Sequence, residues 1–115
     1  MADTETLDMP SQASTDPWVG KYVIVRCRDA GVHAGILKGR YDRHAELTAS
    51  RRLWRWRVNG NKGITLSDVA TVGLDKKDTK LGAPVDILLT ETCEIIECSP
   101  EAAENIAQFA THEPR

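Results

Sequence analysis

The sequence predicts an α+β fold in which a strongly curved antiparallel sheet or a small β-barrel carries one short helix and a C-terminal helix. Two observations predict it: short β-branched and aromatic runs fill the first half of the chain, and helix-capping signals follow them. The 115 residues suffice for one compact domain. We place that domain at 17–110, between a flexible acidic tail at 1–16 and a short tail at 111–115.

The first half of the chain predicts four consecutive strands with turn signals between them. In chain order they are "KYVIVRCR", "VHAGILKGRY", "AELTAS" and "RRLWRWRV". Gly31 follows the first strand and can adopt the positive φ of a tight turn. Gly35 lies inside the second strand, where a glycine predicts a bend, a bulge or a close backbone approach.

The second half predicts two helices around one apolar strand. "TLSDVATVG" has a Thr65 or Ser67 cap and Gly73 just past its end, as expected of a short helix. "VDILLTETCEIIEC" is the most apolar stretch and predicts a buried strand, broken or bent near Glu91 and Thr92. Ser99 as cap and Pro100 at the first helical position predict the C-terminal helix. Its expected sheet-facing residues are Ala103, Ile106, Ala107 and Ala110, with Phe109 beside them.

The net charge of −2 hides a strong segregation along the chain. Residues 20–62 contain eleven Lys and Arg and three acids, a net charge of +8, whereas residues 1–19 carry −4 and residues 63–115 carry −6. Such a basic segment has two interpretations. It contacts an anionic ligand, or it contacts the acidic C-terminal half of the same or a neighbouring subunit.

Several functional classes find no support in the sequence. No run of 18 apolar residues exists, and the acidic N-terminus is the reverse of a secretory signal. The three cysteines, Cys27, Cys93 and Cys98, lack disulfide or zinc spacing, so we expect reduced thiols in the cytoplasm. No nucleophile, HExxH or glycine-rich phosphate motif is present. We therefore predict that the protein is not an enzyme and has neither a metal site nor a cofactor.

The stretch "RRLWRWR" is the strongest candidate for a binding surface. In an extended strand, Trp54, Trp56 and Val58 lie on one side, and Leu53, Arg55 and Arg57 on the other. In a structural interpretation the tryptophans fill the core, and the arginines are solvated or pair with Glu91, Glu94 or Glu97 across the sheet. In a functional interpretation the arginines bind phosphates while a tryptophan stacks on a base. The predicted ligand-binding residues are Arg26, Arg28, His33, Arg51, Arg52, Trp54, Arg55, Trp56 and Arg57.

Several motifs between residues 18 and 107 carry a resemblance to a known family. The "AGVHAG" turn, the "RRLW" strand and the "EIIECSPEA" strand-to-helix joint resemble a family of small uncharacterised proteins encoded by tailed bacteriophages and prophages. The bent second strand with its internal glycine is also similar to that of Sm-like and SH3-like small barrels. The RNA-contacting motifs of Sm proteins are not recognisable in this sequence.

The phage resemblance implies a protein that acts by binding a component of the bacterial host. Our leading hypothesis is a homo-oligomeric counter-defence protein that sequesters a nucleotide-derived immune signal, of the cyclic-nucleotide or ADP-ribose type, in the cytoplasm of the infected bacterium. An alternative is a phage protein that binds and inhibits a host or defence protein. A nucleic-acid-binding small barrel is a further alternative, disfavoured by the net negative charge.

Overall fold

The protein has an antiparallel sheet of six strands with two helices, which confirms the predicted α+β class. The computed structural model describes residues 16–113, so residues 1–15 and 114–115 of the predicted tails lie outside it. The elements are β1 (Tyr22–Cys27), β2 (Val32–Tyr41), β3 (His44–Arg55), a 3-10 turn (Asn59–Asn61), α1 (Leu66–Val72), β4 (Lys80–Leu81), β5 (Val85–Leu89), β6 (Thr92–Glu97) and α2 (Pro100–Ala107).

The connection between β5 and β6 makes the sheet curve. Strands β1, β2 and β3 form a meander; β6 pairs with its β1 edge, while β5 and β4 pair with its β3 edge. Only Thr90 and Glu91 separate β5 from β6, so the two edges of the meander must approach each other. This approach requires the sheet to bend, and the predicted strength of the curvature stays a prediction. The alternative of a closed small β-barrel was wrong, because no ladder joins β5 to β6 within residues 16–113.

The predicted third and fourth strands are one continuous strand, β3. The register shifts between Leu47 and Ser50, and Ala49 has a φ of 51°. At this bulge the backbone N–H of Ala49 donates a hydrogen bond to Asp86 Oδ1 at 3.2 Å. The first part of β3 pairs with β5 and the last part with β4, so the bulge allows one strand to pair with two.

Gly35 allows β2 and β3 to approach closely opposite this bulge. A Cβ atom at position 35 would lie 2.9 Å from the Cα of Ser50, nearer than real Cβ atoms approach. The register between β2 and β3 also shifts between Ala34 and Ile36. The close backbone approach expected from an internal glycine is therefore confirmed.

The stretch predicted as a buried strand, broken or bent near Glu91 and Thr92, forms two strands that lie at opposite edges of the sheet. Glu91, with a φ of 56°, lies in the turn between β5 and β6. Leu89 is buried, but Val85 and Leu88 expose 52% and 50% of their surface. The prediction of burial was wrong because β5 lies at the sheet edge, where one face packs inward and the other meets solvent.

Two hydrophobic clusters lie on the two faces of the sheet. One fills the inside of the curve and consists of Val23, Val25, Cys27, Leu37, Ala45, Leu47 and Leu89. The other, which we call the helix-side cluster, consists of Ile24, Ala34, Leu53, Val58, Val69, Ala70, Leu74, Leu81, Cys98, Ala102 and Ile106. Strand β1 contributes to both clusters, which explains its unbroken apolar run "VIV".

Both helices begin at the predicted caps. The Thr65 side chain and Asp68 form a reciprocal capping box at α1. Ser99 Oγ accepts a hydrogen bond from the backbone of Ala102 at α2. The apolar stripe of α2 is shifted from the predicted one: Ala102 and Ile106 are buried, while Ala107 is exposed and Ala110 lies beyond the helix end. No described helix is both long enough and apolar enough to cross a membrane.

Candidate functional site

A shallow groove of about 410 Å³ lies where the β1–β2 turn meets the end of β3. The pairing of Val32 with Leu53 brings these two segments together. We call this site the tryptophan groove. It is lined by Asp29, Ala30, Gly31, Val32, Arg52, Leu53, Trp54 and Trp56.

The two tryptophans of the groove have different environments. Trp54 exposes 79% of its surface, whereas Trp56 is half-buried against the helix-side cluster. The predicted separation of faces was wrong, because β3 ends at Arg55 and both Leu53 and Val58 are buried. One indole is therefore fixed by packing while the other is open to a ligand.

Arg52 contributes the positive charge of the groove. It lies on β3 opposite His33 and its side chain is exposed. In the part of the chain that the structure describes, no carboxylate forms an ion pair with it. Its guanidinium is therefore accessible, and the predicted contact of Arg52 with an anion stays a prediction.

His33 lies behind the groove and not on its rim. It is buried, and its Nε2 lies 2.8 Å from the Ala30 carbonyl oxygen, so Nε2 carries the proton and donates it. Burial lowers the pKa of His33, and the nearby Arg52 charge lowers it further. The predicted contact with a ligand is thus corrected: His33 fixes the turn that forms one wall of the groove.

Arg51 is directed into the protein, away from the groove. Its side chain is 2% exposed and donates hydrogen bonds to the carbonyl oxygens of Gly82 at 2.8 Å, Ile106 at 3.0 Å and Ala107 at 3.4 Å, and to Thr111 Oγ1 at 3.3 Å. Burial lowers the pKa of the guanidinium. Arg51 therefore joins β3 to the carbonyl end of α2, and its predicted phosphate contact is corrected to a structural role.

The remaining predicted arginines lie outside the groove lining. Arg26 Nε pairs with Glu94 Oε2 at 3.2 Å, and Arg57 Nη1 pairs with Asp78 Oδ2 at 3.1 Å. Arg28 and Arg55 are exposed next to groove residues in the chain. Of the nine predicted residues, the structure brings Arg52, Trp54 and Trp56 together.

Asp29 is the polar groove residue that the sequence-based prediction missed. Asp29 lies two residues before Gly31, in the turn predicted between the first two strands. The pairing of Val32 with Leu53 is what places this turn beside the tryptophans. The Val32–Leu53 pair depends on the register between β2 and β3, and β3 is a bulged strand of 12 residues. Local sequence signals do not determine such a register.

A larger cavity, of about 700 Å³, lies between residues 76–79 and the end of α2. Its lining mixes Lys76 and His112 with Glu104 and Glu113, and includes none of the predicted site residues. Within residues 16–113, no three His, Cys, Asp or Glu side chains are grouped so that they could hold a metal ion. The tryptophan groove therefore remains the site in which predicted binding residues converge.

Comparison with known proteins gives one match. The model of a family described as a domain of unknown function, DUF6948, matches residues 20–106. This range contains all six strands, α1 and every residue of the tryptophan groove. Neither curated proteins nor solved structures match the chain.

Proposed function

The chain belongs to the DUF6948 family, and from the tryptophan groove we propose that it is a non-enzymatic binding protein for a nucleotide-type ligand. Such a ligand carries an aromatic base and a phosphate. The observation that carries the proposal is the presence of exposed Trp54, anchored Trp56 and Arg52 in one groove. Stacking on an aromatic side chain stabilises a bound base by roughly 1–3 kcal/mol.

The position of the indoles supports stacking as the main contact. Trp54 is the penultimate residue of β3, and the strand continues to the pairing of Arg55 with Lys80. Trp54 lies at the register shift between the Leu53–Leu81 and Arg55–Lys80 pairs, so the sheet holds the residues on both sides of it while its own side chain is exposed. A base that covers Trp54 would remove apolar surface from water without ordering a loop.

The charges around the groove support binding of the phosphate. Arg52 lines the groove, and exposed Arg28 and Arg55 adjoin its lining in the chain. Arginine binds phosphate through paired N–H groups with a geometry that lysine cannot match. Neighbouring positive charges also increase the rate at which an anion encounters the site.

The finer role that we propose is capture of a nucleotide-derived immune signal, without turnover, by a phage-encoded protein in the cytoplasm of the infected bacterium. The resemblance of the "AGVHAG", "RRLW" and "EIIECSPEA" motifs to tailed-phage proteins supports this role. We also propose a homo-oligomer, because β5 presents Val85 and Leu88 to solvent at a sheet edge.

Native mass spectrometry of the full chain tests the proposal with ADP-ribose and cyclic nucleotides as ligands. We expect a defined oligomer that retains intact ligand mass. Trp54→Ala should weaken binding at least tenfold, about 1.4 kcal/mol. Tyr41→Ala is the matched control, because Tyr41 is 59% exposed and lies outside the groove. Equal binding by wild type and Trp54→Ala, or release of hydrolysed ligand, would contradict the proposal.

A second candidate function is the docking of a host or defence protein. The exposed Val85 and Leu88 of β5, with Ile36 41% exposed, favour it. This function predicts that Leu88→Glu abolishes inhibition of the partner while Trp54→Ala leaves it intact. Inhibition of the partner that survives Leu88→Glu would contradict this second function.

A further inference from the structure

Asp29 is an acidic residue in the lining of the same groove as Arg52. It is exposed, and among residues 16–113 its side chain has neither a hydrogen-bond partner nor an ion pair. We propose that Asp29 accepts hydrogen bonds from the 2′- and 3′-hydroxyls of a ribose, so that the groove selects nucleotides with a free ribose diol. This inference rests on the proposed nucleotide-binding function and names the class of nucleotide.

Hydrogen bonds hold the backbone on both sides of Asp29. Before the turn, the Arg28 N–H donates to the Glu91 carbonyl oxygen at 2.9 Å. After it, the Gly31 carbonyl oxygen accepts from the Cys27 N–H at 2.8 Å, and His33 Nε2 donates to the Ala30 carbonyl oxygen at 2.8 Å. Asp29 therefore lies on a turn whose backbone is fixed by hydrogen bonds. A side chain that positions a ligand requires such a fixed backbone.

A carboxylate in a groove that binds phosphate is unfavourable unless another interaction compensates for the charge repulsion. Unless it receives hydrogen bonds from the ligand, it repels the phosphate and weakens binding. Arg52 does not neutralise it through an ion pair, since none is present in the described part of the chain. An ionised carboxylate only accepts hydrogen bonds, so its partner on the ligand must be a donor.

The ribose diol is the donor pair that fits a nucleotide lying across the groove. An acidic side chain that accepts from a ribose hydroxyl recurs in dinucleotide-binding folds. The three parts of the ligand then have separate partners: the base meets Trp54 and Trp56, the phosphate meets Arg52, and the sugar meets Asp29. Nucleotides with a free diol, such as AMP and ADP-ribose, fit this arrangement. A 3′,5′-cyclic nucleotide lacks the free 3′-hydroxyl.

Isothermal titration calorimetry of the full chain with AMP and 2′,3′-dideoxy-AMP tests the inference. We expect wild type to bind AMP at least tenfold more tightly than the dideoxy analogue. Asp29→Asn should lose this preference and bind AMP about tenfold more weakly. Glu46→Gln, which removes an exposed carboxylate outside the groove lining, should behave as wild type.

The direction of the Asp29→Asn effect separates the outcomes. If Asp29 only repels phosphate, Asp29→Asn will bind AMP more tightly than wild type, and the inference is overturned. Equal affinity of wild type for both nucleotides, with loss of binding in Trp54→Ala, overturns the inference and leaves the proposed function intact. Absence of binding to either nucleotide overturns both.

Discussion

At the scale of single residues, His33 links the groove to the stability of the fold. It is 1% exposed and donates from Nε2 to the carbonyl of Ala30, in the turn that carries Asp29. Because burial and Arg52 both disfavour the imidazolium, the pKa of His33 in the folded protein lies below its ordinary value of 6.5. Just below pH 6.5, His33 is therefore protonated to a greater extent in the unfolded chain than in the folded chain.

This difference predicts that the free energy of unfolding falls as the pH is lowered from about 6.5 towards the folded-state pKa of His33. His33→Gln should remove that dependence, since the amide can donate to Ala30 but does not titrate. Urea unfolding of both proteins at pH 5.0 and 7.5 measures the effect. The carboxyls with lowered pKa, Asp16, Asp68 and Asp75, titrate below about 3.8, outside this range. The same pH dependence in both proteins would refute the prediction.

At the scale of secondary-structure elements, Arg51 connects the sheet to α2. Its hydrogen bonds reach the Ile106 and Ala107 carbonyls at the helix end, where the helix dipole favours a positive charge. They also reach Gly82 and Thr111, which follow β4 and α2. One buried side chain thus satisfies acceptors from three segments.

Arg51→Met should destabilise the fold by on the order of 3 kcal/mol, because it leaves buried carbonyl oxygens without donors. Arg55→Met is the matched control on the same strand and should change stability little, since Arg55 is exposed. Chemical denaturation followed by circular dichroism gives both values. Similar midpoints for the two variants would show that the α2 connection does not depend on Arg51.

Local sequence signals predicted where helices and strands form better than they predicted which of these elements pair or pack together. The caps Thr65 and Ser99 and the β1–β2 hairpin followed from residue type and spacing. Ala49 carries no such signal: alanine rarely adopts a positive φ, and only the pairing of β3 with both β4 and β5 requires one there. The burial of Arg51 likewise depends on a helix end 55 residues away in sequence.

At the scale of the whole molecule, ion pairs within the chain neutralise part of the positive charge of the basic segment. Lys21 pairs with Glu97, Arg26 with Glu94, and Arg57 with Asp78. Exposed ion pairs of this kind contribute about 0–1 kcal/mol each to the stability of the fold. Their main consequence is that they determine which positive charges stay unpaired. In the described residues, the acidic C-terminal half leaves Arg52 unpaired, beside the tryptophans.

The residue types that line the groove were predictable, but their grouping was not. Tryptophan and arginine in "RRLWRWR" predict a base-and-phosphate site, and that site stays a prediction. Which of them share a surface depends on where β3 ends and on the pairing of Val32 with Leu53. That pairing also supplies Asp29, which no feature of the basic segment indicates.

The most direct test of the tryptophan groove as a nucleotide site is NMR of the three indole N–H groups of Trp18, Trp54 and Trp56 during titration with AMP. Trp18 packs against the cluster inside the sheet and lies outside the groove, so it is an internal control. We predict that the Trp54 and Trp56 signals shift with one binding curve while the Trp18 signal stays in place. Unchanged Trp54 and Trp56 signals at saturating nucleotide, or a shift confined to Trp18, would contradict the account.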